Sequence, residues 1–155
     1  MAGPRGQAQG RAGAQPALRR ARCRQTAATA QPVSYAELLD SGCFYVWEVD
    51  GALAGLYKAT RYPGRVRHVA LLGALAVDPR CQGQGVGHTM LTDAIERLKA
   101  DGVRRIELYA ESDNAQALRF YGKLGFVHEG TLRQFYKRAD EPRYVDEYVL
   151  GLLVA

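Results

Sequence analysis

The sequence predicts an α+β domain, built on a mixed, mostly antiparallel central sheet flanked by helices. Two observations carry that prediction. Six segments have the β-branched and aromatic composition of strands, and two others have the 3.6-residue apolar period of helices. Their order is β-β-β-α-β-α-β-β, which a repeated βαβ array does not give, and no internal repeat is visible. At 155 residues the chain is long enough for one substantial core and not for two.

The elements follow in order. "YAELLD" (35–40) is a short helical patch stopped by Gly42, and "FYVWEV" (44–49) reads as a strand. Asp50-Gly51 is the hairpin dipeptide, so "ALAGLYKATRY" returns antiparallel. Pro63 and Gly64 make the next turn, and residues 66–77 form a long strand whose internal Gly73 suggests a bulge. From Val86 the period changes: Val86, Met90, Leu91, Ala94, Ile95 and Leu98 share one helical stripe, closed by Gly102. "RRIELYAE" (104–111) is a strand. Ser112 or Asp113 then caps a helix with Ala117, Leu118, Tyr121 and Leu124 inward. Gly125 ends that helix, "FVHEG" begins a strand, and "RYVDEYVLGLLV" supplies the last one.

Charge is unevenly spread. Residues 1–32 hold six arginines and no acid, while the rest holds 15 basic and 16 acidic side chains, so the net +5 belongs to the tail. That tail is almost all Ala, Gly, Gln, Arg and Pro, with Leu18 and no aromatic residue, and it buries too little to offset its ordering entropy. It is expected to be disordered, with a single domain over 33–155. It is Arg-rich like a transit peptide but lacks serine. The near-neutral remainder argues against a nucleic-acid partner.

Cys23, Cys43 and Cys81 share no short spacing, so neither a disulfide framework nor a zinc knuckle is suggested. His68, His88 and His128 are scattered without ligand spacing, and no metal is expected. No apolar run approaches the roughly 20 residues of a membrane span, and a secretory core is missing. The expected setting is cytoplasmic, without a membrane partner.

"RCQGQGVGHTM" (80–90) sets three glycines at a helix start, where bare amides can meet phosphates. A Walker loop needs a lysine after its last glycine, and His88 follows Gly87 instead. The dinucleotide fingerprint Gly-x-Gly-x-x-Gly fails because its third position is again His88. The pattern Gln/Arg-x-x-Gly-x-Gly/Ala remains, through Gln82, Gly85 and Gly87, after a strand ending "LAVDP".

There the chain resembles the GNAT superfamily of acetyl-CoA-dependent N-acetyltransferases. A second block supports it: "SDNAQALRFYGKLGFVHEG" is similar to the family's Asn-x-x-Ala-x-x-x-Tyr-x-x-x-Gly-Phe segment, through Asn114, Ala117, Tyr121, Gly125 and Phe126. The resemblance covers residues from about 44 to 155, and the ending is similar to the small-molecule and amino-acid N-acetyltransferases. It implies acetyl-CoA as co-substrate, with the backbone of Gln82, Gly83, Gln84, Gly85, Val86, Gly87 and His88 at the pyrophosphate. It also implies that Leu75, Ala76 and Val77 pair with the pantetheine arm, and that Asn114 and Tyr121 help to hold the cofactor.

The resemblance further implies direct transfer in a ternary complex to the primary amine of a small metabolite. Tyr121 is the matching donor to the leaving sulfur. A carboxylate on the strand 104–111, or a water it holds, is a common family base; Glu107 is the residue chosen, with Tyr109 and Glu111 on the same face. Some relatives carry the glutamate at the position of Tyr109, and the strand before reads Leu71-Leu72 where others place one. Attack by free amine with water as acceptor stays open, as do a non-catalytic acyl-CoA-binding module and acetylation of a protein N-terminus or lysine. The family's N-terminal strand and two helices, which wall the acceptor pocket, are shortened or absent here. Either the acceptor site is open, or a partner chain completes it, or the reading frame starts elsewhere. Homodimers through final-strand pairing are frequent in the family.

Overall fold

The computed structural model describes Leu18–Arg20 and residues 43–154. Its strands are β1 Leu18–Arg20, β2 Phe44–Val49, β3 Ala52–Arg61, β4 Val69–Val77, β5 Arg105–Glu111, β6 Val127–Lys137 and β7 Tyr144–Leu153. Two α-helices accompany them, α1 Val86–Ala100 and α2 Ala115–Lys123. One sheet takes the order β1-β2-β3-β4-β5-β7-β6, and only β4 and β5 run parallel. The α+β class and the element order expected from the sequence are both observed.

Three local features differ from the sequence reading. Within the segment expected to be disordered, Leu18–Arg20 pairs antiparallel with β2, Leu18 opposite Trp47. Main-chain bonding along a sheet edge demands no apolar side chain, so composition gave no hint of it. The remainder of residues 1–32, and the helical patch at 35–40, lie outside the described residues. β4 starts at Val69, because Gly64–Val66 forms a 3-10 turn with Gly64 at φ +65°. The cap of α2 is Asn114, whose side-chain oxygen accepts from the Ala117 amide at 3.0 Å. Ser112 and Asp113 lie in the turn before it.

Other local signals hold. Asp50 and Gly51 both have positive φ, as a tight primed hairpin turn requires. Gly102, at φ +80°, follows α1. The bulge in β4 is real, but the strained residue is Ala74 at φ +45° rather than Gly73. Leu56 pairs with Ala76 and Lys58 with Gly73, so three steps on β4 oppose two on β3.

Both helices pack on one face of the sheet. Met90, Leu91, Ala94 and Leu98 of α1 are buried against Tyr57, Ala70, Leu72, Ile106, Leu108 and Leu150, with Leu118, Tyr121 and Leu124 of α2 partly buried beside them. Strand alternation sends Glu107, Tyr109 and Glu111 of β5, and Glu147 and Val149 of β7, to the opposite face. No described helix covers that face.

The parallel ladder is short. It joins Val69–Leu72 to Arg105–Leu108 and stops. Past that point β5 stays paired with β7 as far as Glu111, while β4 from Gly73 to Val77 keeps only its β3 neighbour. The sheet is therefore split between β4 and β5. Leu91, with no exposed surface, measures the core that holds the split open. Leu91→Ala is expected to lower unfolding free energy by about 2–5 kcal/mol in urea titration.

Candidate active site

The glycine loop continues the free edge of β4. Asp78 starts it by accepting from the Arg80 amide at 2.8 Å and from the Arg80 guanidinium at 2.7 Å. Those bonds hold the Asp78 carboxyl down at about 2. Gln82 donates its side-chain amide to the Val77 carbonyl at 3.2 Å, and Gln84 donates to the Arg80 carbonyl at 2.8 Å. Both glutamines thus tie the loop down through their side chains.

The backbone of the loop is left bare. Gly83 and Gly85 stand at φ +74° and +80°, and Gly85 is the N-cap of α1. The first helical bond runs from the Thr89 amide to the Gly85 carbonyl at 3.0 Å. The six N–H groups of residues 83–88 have no hydrogen-bond partner among the described residues. Aligned donors at a helix N-terminus favour an anion. The glycines earn their places differently: a Cβ at 83 or 85 would meet nothing, so φ dictates glycine there. At Gly87 a Cβ would stand 3.3 Å from Val77 Cγ2, a tight approach that the valine would have to ease, and in ordinary contact with Phe120 at 3.6 Å. Leu75, Ala76 and Val77 lie on the open edge leading to this loop, and His88 is exposed at the helix start.

α2 brings Tyr121 to the same side. Its ring sits edge-on to Phe120 at 5.4 Å and to Phe126 at 6.0 Å. Burial pushes its hydroxyl above the usual tyrosine range, so it stays protonated at neutral pH. That hydroxyl makes no hydrogen bond among the described residues. Asn114 spends its oxygen on the cap, which leaves its amide nitrogen to meet a ligand. Tyr136, which its sequence neighbours suggest is packing, is 43% exposed.

Across the sheet the carboxylates are sorted by arginines. Glu107 accepts from Arg105 Nε at 2.8 Å, and the same guanidinium holds Glu129 through two further bonds. Glu129 lies over Gly151, where any Cβ would collide with its carboxylate. Bonding to Glu129 first, and to Glu107 second, pushes Arg105 above its ordinary range. Arg138 binds Asp113, Glu111 and Glu141, and Arg143 binds Glu141 and Asp113 at 2.5 and 2.9 Å. Sequence reasoning could not see these pairs, since Arg138 and Glu111 are 27 residues apart. Tyr109 contacts Phe135 of β6, ring centroids 6.3 Å apart. Burial, followed by Tyr109 and Glu107, raises the Tyr62 hydroxyl, which places Tyr62 beside them.

A split sheet, a bare-amide helix start beside it and a partly buried tyrosine stand together at one end of the parallel ladder. The chain belongs to the acetyltransferase (GNAT) family, whose model matches residues 5–126 and so begins inside the arginine-rich segment. Over 93 residues it is 42% identical to a mycothiol acetyltransferase of Brachybacterium faecium, covering 59% of this chain and 28% of that protein. The chain thus spans less than a third of the curated relatives it first matches. An acetyltransferase of the GNAT family from Streptococcus pneumoniae superposes with a TM-score of 0.65 at 30% identity, over 72% of this chain and 66% of that one. A ribosomal-protein-alanine N-acetyltransferase from Brucella melitensis gives 0.64 at 25% identity, over 72% and 68%.

Two outcomes check this geometry. The Asp78 carboxyl followed by NMR is expected to titrate near 2, and Arg80→Ala is expected to raise it part of the way toward the ordinary range, because the backbone amide at position 80 still donates to it. Because its folded value is depressed, the stability it contributes is complete above the unfolded value and is lost as pH falls through the folded one. Asn114→Ala removes the cap of α2 and costs about 1 kcal/mol in chemical denaturation.

Proposed function

We propose that this chain transfers the acetyl group of acetyl-CoA to the primary amine of a small metabolite, by direct attack in a ternary complex. The observation that carries the reading is that the open edge of β4 at 73–77 leads, through the hydrogen-bonded turn at 78–82, to the bare amides of 83–88. A peptide-like arm ending in a pyrophosphate matches both stretches at once. A strand edge takes an extended amide chain by main-chain pairing, and the helix start takes the phosphates. The residues present therefore fit the co-substrate, with Leu75, Ala76 and Val77 along the arm, residues 82–88 at the pyrophosphate and Asn114 at its flank.

Tyr121 is the proton donor in this reading. A thiolate leaves poorly unless it is protonated, and a partly buried, protonated hydroxyl without a competing partner among the described residues supplies that proton. In this reading a backbone N–H of β4 near the bulge at Ala74 would donate to the thioester carbonyl as negative charge develops. Glu107 faces the acceptor side, but Arg105 already occupies one of its oxygens. Its remaining oxygen can hold a water that takes a proton from the attacking nitrogen, without touching the amine itself. The likeness to a mycothiol acetyltransferase favours a small-molecule acceptor over a protein one.

Incubation with acetyl-CoA and a panel of amines, read by mass spectrometry, is expected to give mono-acetylated product and free CoA. CoA binding with no amine acetylated would remove the catalytic reading in favour of a binding module. Tyr121→Phe is expected to lower kcat by about 10²–10⁴-fold while changing acetyl-CoA affinity far less.

A further inference from the structure

Glu147 stands apart from every other carboxylate near the split. Glu107 and Glu129 are bound by Arg105, and Glu111, Asp113 and Glu141 by Arg138, with Arg143 on the last two. Asp146 accepts from the Gln134 amide at 2.7 Å. Glu147 makes no hydrogen bond or ion pair with any described residue. In register it lies opposite Glu111 on β5 and opposite Leu132 on β6. It shares its face with Tyr109, whose partner on β7 is Val149.

Two further features place it at a binding surface. β7 lies between β5 and β6, so the contact between Tyr109 and Phe135 arches over β7 in the stretch that carries Glu147 and Val149. Both rings are largely open, at 40% and 58% exposure. Beside them the bulge of β6, with Gln134 at φ +52°, borders an open surface depression along Thr131, Leu132, Arg133 and Gln134. Leu132 is the cross-strand neighbour of Glu147.

We infer that Glu147 is the group that receives the acceptor amine, as counter-ion to its ammonium form and then as acceptor of its proton, and that the acceptor's body is an apolar or aromatic group packed on Tyr109 and Phe135. The inference rests on the acetyl-transfer reading above and names the substrate class for it. The ammonium gives one proton to Glu147, and the freed lone pair forms the C–N bond at the thioester carbonyl. The nitrogen loses its second proton to water as the C–S bond breaks, and the leaving sulfur takes its proton from Tyr121. Tyr121 and Glu147 return to their resting forms through solvent, with one proton released overall. Burial, and then the charge of Glu111, raise the Glu147 carboxyl above the usual range, which makes it a better proton acceptor than the arginine-bound carboxylates.

The probes are 2-phenylethylamine and its uncharged counterpart 2-phenylethanol, titrated by calorimetry into the full chain with and without saturating CoA. The wild type is expected to prefer the amine by about tenfold or more. Glu147→Gln should reduce that preference to within roughly twofold while leaving CoA affinity unchanged, and Glu147→Asp should retain part of it. Glu107→Gln should keep the preference. A preference that survives in Glu147→Gln, that is lost in Glu107→Gln alone, or that is absent from the wild type overturns the inference. A parallel acetyl-CoA assay separates it from the functional reading. An amine held through Glu147 but never acetylated leaves the inference standing and removes the reading.

Discussion

The end of the parallel ladder at Leu72 and Leu108 is the constraint on which the rest of the molecule turns. A bulge increases local twist, and the one at Ala74 swings β4 away from β5 where the ladder would otherwise continue. Backbone groups freed in this way need partners, and leaving them to a ligand makes sense only if that ligand carries amides of its own. The same divergence sets the start of α1 at the end of the free edge. It also opens a passage through the sheet, with Tyr121 on the helical face and Glu107, Tyr109 and Glu147 on the other.

Electrostatics refine that frame rather than hold it together. The arginine pairs are partly exposed, and each contributes little to stability on its own. Their effect is selective. Arg105, Arg138 and Arg143 neutralise the carboxylates around the end of β5, so that a region rich in acid presents very few free anionic groups. Arg138 also links the β6–β7 hairpin to the turn before α2, through Glu141 and Asp113. The helix that carries Tyr121 is therefore braced at its start by charge as well as by the Asn114 cap.

Much of this was legible in the sequence. The stripe from Val86 to Leu98, the Asp50-Gly51 turn and the glycine loop are local signals, and local signals survive folding. Where the reading slipped, the cause was either competition or distance. Ser112, Asp113 and Asn114 are all good caps, and only the tertiary claim of Arg138 and Arg143 on Asp113 leaves the role to Asn114. Gly73 announced a bulge, yet the positive φ fell on Ala74, where register with β3 required it. Glu107 was visible by alternation, while its bond to Arg105 and the crowding of Glu129 over Gly151 were not. Glu147 also lies on an alternating strand, and it was the pairing of its neighbours that set it apart.

The three residues of β1 have a colloidal consequence. β2 is an edge-adjacent strand of sequence "FYVWEV", aromatic and β-branched with a single acid, and such a strand is prone to recruit a second sheet when its edge is bare. Leu18–Arg20 occupies that edge by main-chain pairing at Trp47, Val46 and Tyr45. Those three residues thereby cover part of the β2 edge, and a variant that loses this pairing would bare it to self-association.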